Sequence, residues 1–268
     1  MANIIGGVTT TPLAIKTIKQ KVTDKVSNAL KGTKSGEIVT IDNISPLEHN
    51  ITVNVEGANF VTRRGKNQLS YPYSYSNKSP FHTEGITFID NGDGSITANG
   101  ATTGYSTFIF CGDSSGAKKE EFERFLIDGE TYTISLSGAK GFKIIGEVHN
   151  KDGSLAYYIN DTNMCTFTVD KSKYDYYYLR VFANDTSLTF DNAIIRPQIE
   201  IGNIVTEFEP YIEPITYPVN ADGTVEGVKS AYPTTVLTAD TEGAIITAEY
   251  NKDINKTLGN LETLLGGI

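Results

Sequence analysis

The stretch ITFIDNGDGSITANG, residues 86–100, predicts a β-hairpin and indicates the fold class. Apolar and polar residues alternate on both sides of the turn NGDG (91–94), as they do in strands with one buried face. Asn-Gly and Asp-Gly favour a tight turn because they adopt positive φ at little cost. The stretch FKIIGEVHNKDGSLAYYI, residues 142–159, repeats this pattern around NKDG (150–153). Two such hairpins predict antiparallel sheets.

Short strands separated by polar turns continue through most of residues 57–214. Further strand-like runs are CTFTVDKSKYDYYYLRVFAND (165–185) and TSLTFDNAIIRPQIEI (186–201). The composition agrees, because 15 Tyr, 12 Phe and 25 Gly among 268 residues favour strands and turns. About eight to ten short strands with polar turns predict a mainly β fold, an antiparallel β-sandwich of two sheets.

Strand patterns also flank the predicted sandwich. The run ITVNVE (51–56) alternates strictly, and it makes residues 36–56 a predicted β linker. After the sandwich, VNADGTVEGVKSAYPTTVLTADTEGAIITAEY carries more strand signals around an Asp-Gly turn. We therefore expect residues 215–250 to form a C-terminal β extension.

A narrow apolar stripe predicts a short helix near each end of the chain. Residues 1–35 contain one that begins near Thr11-Pro12, and residues 251–268 contain the other. A helix with so narrow a stripe needs a partner surface. Packing on the chain's own β domain and self-association are equal alternatives. The residues predicted to serve oligomerisation are Ile15, Ile18, Val22, Val26, Leu30, Ile254, Leu258, Leu261 and Leu265.

Charge and hydropathy exclude several classes of partner. The net charge of −9 argues against nucleic acid, which requires clustered Lys and Arg to displace counterions. No apolar run is long enough to cross a bilayer, so we expect no membrane insertion. The first residues, MANIIGGVTTTPLA, lack a charged region followed by an apolar one, so we expect no secretory signal and synthesis in a cytoplasm.

The chain lacks the sequence motifs of common enzymes. Its three histidines, His49, His82 and His149, fall in no metal-binding spacing, and neither a GxSxG nor a GxxxxGK motif is present. Cys111 and Cys165 alone make neither a disulfide framework nor a zinc site. The sequence DNGDGS departs from a calcium-binding loop at its third and twelfth positions. We therefore expect no enzyme and no cofactor. A structural calcium ion is compatible with such a sandwich, but the sequence locates no site for one.

Four segments of the chain together carry a family resemblance. They are IDNISPLEHNITVNV (41–55), RRGKNQLSYPYS (63–74), GITFIDNGDGSITANGATTGYSTF (85–108) and NAIIRPQIEIGNIVTEFEPY (192–211). They resemble minor structural proteins of tailed phages and prophages of low-GC Gram-positive bacteria. In those proteins a segment like GKNQLSYPYS opens a jelly-roll sandwich similar to carbohydrate-binding modules, and one like IRPQIEIGNIVTEFEPY closes it. The closing segment also occurs in secreted bacterial enzymes that carry such modules.

The resemblance covers residues 40–253 and implies a virion protein of the tail tip, baseplate or a tail fibre. Its implied partners are other virion proteins, host cell-surface carbohydrate and further copies of itself, with a trimer expected by analogy with fibres. It implies assembly in the bacterial host cytoplasm. One alternative is a capsid or tail decoration protein whose sandwich is a spacer without a ligand. Another is a tail-associated glycan hydrolase, which requires two carboxylates facing each other across a cleft.

Sugar binding requires aromatic rings beside hydrogen-bonding groups, because pyranoses present apolar C–H faces and many hydroxyls. The run KYDYYYLRVFAND (173–185) offers both. Regular alternation places Tyr177, Leu179 and Val181 towards the core, and Tyr176, Tyr178, Arg180 and Phe182 on the other side. For Tyr178 and Phe182, burial in the core is the favoured interpretation. Adding residues of neighbouring strands and turns, the candidate ligand-binding residues are Tyr176, Tyr178, Arg180, Tyr157, His149 and Tyr105.

Overall fold

The computed structural model describes residues 3–5, 8–10, 34–42, 48, 50–161, 164–183, 185 and 187–250. The predicted helices near both ends, with all nine predicted oligomerisation residues, lie outside these ranges. Within the predicted N-terminal segment, Asn3–Ile5 and Val8–Thr10 pair as an antiparallel hairpin that precedes the position of the predicted helix.

The prediction of a mainly β protein is confirmed. Helical structure in the described residues is confined to a 3-10 turn, Ser76–Lys78, and a four-residue α-helix, Glu120–Glu123. The strands in chain order are β1 (Asn3–Ile5), β2 (Val8–Thr10), β3 (Lys34–Gly36), β4 (Ile38–Asp42), β5 (Ile51–Glu56), β6 (Phe60–Arg64), β7 (Phe81–Thr83), β8 (Ile86–Asp90), β9 (Ile96–Ala101), β10 (Ser106–Gly112), β11 (Thr131–Gly138), β12 (Lys143–Asn150), β13 (Leu155–Asp161), β14 (Met164–Thr168), β15 (Tyr174–Ala183), β16 (Thr189–Ile201), β17 (Ile215–Pro218), β18 (Thr224–Val225), β19 (Thr234–Ala239) and β20 (Ile245–Tyr250).

Residues 66–213 form a β-sandwich, as the alternation of its strands predicts. One sheet has four strands in the order β10-β15-β12-β13, and the other has six in the order β14-β11-β16-β9-β8-β7. All strand pairs in both sheets are antiparallel. Ile144 and Leu179 of the first sheet share one apolar core with Phe88 and Ile134 of the second. This core fixes which face of each sheet is left for other contacts.

The turns predicted at NGDGS and NKDGS share one hydrogen-bond pattern. In the second, Ser154 donates to Asp152 Oδ1 from its backbone nitrogen at 2.9 Å and from its hydroxyl at 2.6 Å. Asn150 Nδ2 donates to the same hydroxyl at 3.0 Å. Gly153 has a φ of 84°, which a side chain would strain. These contacts fix the register of β12 and β13, because the turn geometry of a hairpin sets its pairing.

The described residues before 66 and after 213 belong to a second compact unit with its own core. Its two sheets have the strand orders β17-β6-β19-β4 and β18-β5-β20-β3. Val53, Val61, Leu237 and Ile246 are buried in this core. The segments predicted as a linker, 36–56, and as an extension therefore pair with each other.

The observed sandwich begins later than the predicted boundary at residue 57. Strand β6 pairs with β17 and β19 of the flanking unit and not with a sandwich strand. Val61 on β6 is fully buried in the flanking core, and burial of this side chain explains the difference. The sequence pattern of β6 contains no signal that distinguishes the two cores.

A buried asparagine joins the opening and closing segments of the sandwich. Asn67 Nδ2 donates to the carbonyls of Pro197 at 3.3 Å and Glu209 at 3.1 Å. Its Oδ1 accepts from the backbone nitrogens of Leu69 at 3.0 Å and Ile199 at 3.2 Å. All four hydrogen-bonding positions of the amide are used, so a buried polar side chain is fully satisfied.

Gln198 and an ion pair extend this junction along the closing segment. Gln198 Oε1 accepts from the backbone nitrogen of Glu209 at 2.7 Å, and its Nε2 donates to the Glu207 carbonyl at 3.2 Å. Lys66 Nζ lies 2.7 Å from Glu209 Oε1 and donates to Thr206 Oγ1 at 2.9 Å. Two of the four segments that carry the family resemblance, the opening and the closing one, are thus held together by their own side chains.

Candidate functional site

A β-bulge in β15 decides which tyrosines of the selected run face the core. Against β12, Tyr178 pairs with Glu147 but Tyr176 pairs with Val148, so Tyr177 is an extra residue on β15. An extra residue reverses the alternation of side chains on one side of it. The faces assigned by regular alternation therefore hold from Tyr178 onwards and are reversed before it.

The structure corrects two of the predicted ligand-binding residues. Tyr176 has no exposed surface and packs in the sandwich core, because the bulge turns it inwards. Tyr157 is half-buried and also packs against the core, whereas its neighbour Tyr158 is 47% exposed. Leu179 and Val181 lie in the core as expected.

The side of the four-stranded sheet that points away from the core is called the outer face here. Ile145, Tyr178 and Phe182 form a small apolar cluster on it that is separate from the sandwich core. Tyr178 is 2% exposed and Phe182 is 6% exposed, so both rings are buried, and Tyr178 does not offer its ring to a ligand as predicted. Strand register places Glu147 opposite both Tyr178 and Tyr158, and Ile145 opposite Arg180. The outer face includes Lys143, Ile145 and Glu147 of β12, Tyr158 of β13, Tyr178, Arg180 and Phe182 of β15, and Thr107 and Ile109 of β10.

Arg180 lies between two aromatic rings on this face. Its guanidinium carbon is 4.8 Å from the centre of the Tyr178 ring and 5.2 Å from that of Tyr105. Tyr105 in turn stacks on Phe182, with ring centres 5.1 Å apart and an angle of 19° between the planes. Cation–π attraction and ring stacking therefore hold the guanidinium in one place.

Glu147 connects Tyr178 to His149. The Tyr178 hydroxyl donates to Glu147 Oε2 at 2.8 Å, and His149 Nε2 lies 2.6 Å from Glu147 Oε1. The His149 ring stacks on Tyr177 with centres 3.7 Å apart and planes 7° apart. The bulge that turns Tyr176 inwards thus leaves Tyr177 beside the histidine. Both carboxylate oxygens of Glu147 are engaged within the protein.

Two tyrosines leave large exposed ring surfaces at this face. Tyr105 is 44% exposed and Tyr158 is 47% exposed. Burial raises the pKa of the Tyr105 phenol, the Arg180 charge opposes that shift, and the nearby Tyr158 phenol adds to it. Burial and the hydrogen bond to Glu147 raise the pKa of Tyr178 well above its usual range. The phenols of Tyr105 and Tyr178 are therefore neutral donors at neutral pH.

The structure brings together four of the six predicted residues, namely Tyr178, Arg180, His149 and Tyr105. Sequence reasoning missed Glu147, which holds two of them. Its position in FKIIGEVHN was a usable signal, since residues 145, 147 and 149 alternate on one side of the same predicted hairpin strand. The sequence gives no comparable signal for the bulge at Tyr177, because neither a Gly nor a turn residue lies there.

A shallow cavity of about 480 Å³ lies elsewhere on the sandwich, at a bulge in β16. Lys140, Arg196 and Asp191 contribute charges of both signs to its lining. Asn192 there has a φ of 48°, and its backbone nitrogen donates to Asn99 Oδ1 at 2.6 Å. None of the candidate ligand-binding residues lines this cavity, and its mixed charge favours no class of ligand.

The part of the chain that the structure describes contains no group of three or more metal-ligating side chains placed to hold an ion. The turn carboxylates are occupied by local donors, as Asp93 shows by accepting the nitrogen and hydroxyl of Ser95 at 2.8 and 2.6 Å. Within the same ranges, no helix has the length and apolar character needed to span a bilayer.

Comparison with known proteins finds only distant structural likenesses. No family model and no curated protein matches the chain. A chain in the crystal structure of accessory secretory proteins 1, 2 and 3 of Streptococcus pneumoniae is similar over 49% of this chain and 95% of its own length, at 15% identity and a TM-score of 0.33.

Two structures of infectious bursal disease virus are also similar to the chain. A chain of the Gx strain matches over 85% of this chain and 66% of its own length, at 11% identity and a TM-score of 0.21. The VP2 subviral particle matches over 79% of this chain and 68% of its own length, at 11% identity and a TM-score of 0.15. Likenesses at these TM-scores assign neither a family nor a function.

Proposed function

We propose that this chain is a non-catalytic virion structural protein of a phage tail fibre or baseplate, and that its sandwich adheres to host cell-surface glycan through the outer face. The observation that carries the binding proposal is the pair of exposed rings, Tyr105 and Tyr158, beside the polar groups of Arg180 and Glu147. The resemblance of residues 40–253 to minor structural proteins of tailed phages supports the virion location.

The arrangement suits a sugar for a physical reason. A pyranose stacks an apolar C–H face on an aromatic ring while its hydroxyls pair with fixed polar groups. At the outer face the polar groups are held by the stacked rings and by the Tyr178–Glu147–His149 chain, so little side-chain entropy is lost on binding. A decoration protein without a ligand requires no exposed rings at this position.

Weak binding at one site is compatible with adhesion if many copies act together. A stacked ring contributes about 1 kcal/mol beyond area burial, so a single site binds weakly. Several copies on one particle raise the effective concentration of sites. We therefore include self-association through the terminal helices, with a trimer as the expected state, in the proposal. Deletion of residues 1–35 then reduces the number of copies per assembly, which is determined from the mass measured by light scattering. An unchanged number of copies contradicts this role.

The binding proposal is tested with the variant Tyr105→Ala/Tyr158→Ala. Both rings are about half exposed and outside the sandwich core, so the variant stays folded, with a small decrease in unfolding temperature from the lost Tyr105–Phe182 stacking, and loses binding to cells and wall fractions of Gram-positive hosts by roughly tenfold. Phe60→Ala is the matched control, because Phe60 is 46% exposed and lies in the flanking unit. Equal binding by the double variant, the control and the unchanged protein contradicts adhesion through the outer face.

A further inference from the structure

We propose that the sugar bound at the outer face carries a carboxylate and that Arg180 binds it. This inference rests on the proposed function, and it specifies the chemical class of the ligand. It follows from the missing hydrogen-bond partners of the guanidinium, from the charges around it and from its distance to the exposed ring of Tyr105.

Arg180 has no acceptor of its own. It makes no hydrogen bond or ion pair with any residue that the structure describes, and its Nε is buried without a partner. A guanidinium offers five N–H donors, and a buried donor left unpaired costs free energy. The rings of Tyr105 and Tyr178 attract the cation through their faces but supply no acceptor oxygen. The side chain is thus positioned and charged, and its Nε lacks a partner among the described residues.

The carboxylate on the same face, Glu147, has no oxygen left to accept a hydrogen bond from Arg180. Glu147 already accepts the Tyr178 hydroxyl at one oxygen and His149 at the other. Lys143 adds a second cation on the same face, because it lies opposite Phe182 and two residues from Ile145. The outer face therefore has an excess of positive charge although the whole chain carries −9.

A carboxylate attached to a sugar ring matches this geometry. The flat guanidinium pairs with a planar carboxylate through two parallel hydrogen bonds, which a hydroxyl cannot reproduce. In a hexuronic acid the carboxylate is bonded directly to the pyranose ring. The ring can then stack on Tyr105 while the carboxylate reaches Arg180, whose guanidinium carbon is 5.2 Å from the Tyr105 ring centre.

The experiment compares two probes that differ in their carboxyl group, methyl β-D-glucuronide, which is charged, and its uncharged methyl ester, by NMR titration of the full-length protein. The acid is expected to shift signals of Arg180, Tyr105 and Tyr158, and the ester to bind at least about tenfold more weakly. Arg180→Met keeps a linear side chain between the rings and is expected to bind acid and ester equally. Arg180→Lys keeps the charge without the planar fork and is expected to retain part of the preference.

The control variant is Lys173→Met, which removes an exposed cation immediately before the same strand and should leave the preference for the acid intact. Equal binding of acid and ester by the unchanged protein overturns the inference and leaves the proposed function standing. A preference for the acid that survives in Arg180→Met overturns the role of Arg180. Stronger binding of methyl phosphate than of the acid overturns the assignment to a sugar carboxylate. Absence of any shift at the outer face with either sugar overturns the inference, and the cell-binding test then decides the proposed function separately.

Discussion

Single carboxylates in the hairpin turns make the folded state sensitive to acid. Hydrogen bonds from Ser95, Ser154 and Thr224 lower the pKa values of Asp93, Asp152 and Asp222 below their ordinary value. A lowered pKa in the folded state contributes stability that is complete above the unfolded value, near 4, and is lost as the pH falls through the folded value.

We expect the unfolding temperature to decline below about pH 4 and to change little between pH 5 and 7 from these groups. Differential scanning calorimetry from pH 7 to pH 2.5 measures this dependence. The variant Asp93→Asn/Asp152→Asn/Asp222→Asn should show a smaller decrease in unfolding temperature at low pH, since an amide does not titrate. If the unfolding temperature of the triple variant decreases equally steeply at low pH, the acid sensitivity comes from other carboxylates.

Buried phenols produce the opposite dependence at high pH. Burial and the hydrogen bond to Asp90 raise the pKa of Tyr71 to about 12, and burial raises those of Tyr73 and Tyr176. A raised folded pKa contributes stability that is complete below the unfolded value, near 10, and is lost as the pH rises through the folded value.

We therefore expect stability to fall between about pH 10 and pH 12. Urea unfolding at a series of pH values, with tyrosinate absorbance recorded in parallel, measures it. Tyr71→Phe removes one titrating group and should reduce the alkaline slope, although it also removes the 3.0 Å hydrogen bond to Asp90. Retention of the full slope by this variant shows that Tyr71 titrates alike in both states.

Strand β15 shows how far an element can be predicted from its sequence. Its existence, its core residues Leu179 and Val181, and the outward placement of Tyr178 and Arg180 all follow from period-two alternation. The inward position of Tyr176 does not, because it depends on a bulge set by pairing with β12. Likewise β6 has an unambiguous strand pattern, but its sheet partners are fixed by contacts distant in sequence.

The junction of the opening and closing segments depends on Asn67. Asn67→Ala leaves two carbonyls and two backbone N–H groups without their partner, and we expect it to lower the free energy of unfolding by about 2–4 kcal/mol. Asn67→Asp has nearly the same shape but loses both donors and turns an oxygen towards the carbonyls of Pro197 and Glu209. It should destabilise the sandwich at least as much at pH 7.

Urea denaturation followed by circular dichroism measures both Asn67 variants. Asn91→Ala is a suitable control, because this exposed side chain bonds within its own hairpin, to Ser95 and Thr97, and does not join distant segments. If Asn67→Asp is tolerated while Asn67→Ala is not, the residue acts by filling space and not through its hydrogen bonds.

The two compact units differ in how the chain builds them. The sandwich is continuous in sequence, from residue 66 to residue 213, and the pair Lys66–Glu209 holds residues near its two ends together. The flanking unit is assembled from both ends of the chain. The sheet neighbours of β5 are β18 and β20, and those of β6 are β17 and β19, so every one of them follows residue 213.

We therefore expect a fragment of residues 66–213 to fold alone, because it contains its complete core and all the strand pairs of both sheets. It should unfold cooperatively on heating and retain the near-ultraviolet circular dichroism of packed tyrosines. A fragment of residues 1–213 carries β5 and β6 without any of their sheet partners. Limited proteolysis of that fragment should remove residues up to about 65 and stop at the sandwich. Protection of residues 51–64 in the longer fragment contradicts the discontinuous unit, and loss of cooperative unfolding in the shorter one contradicts an independent sandwich.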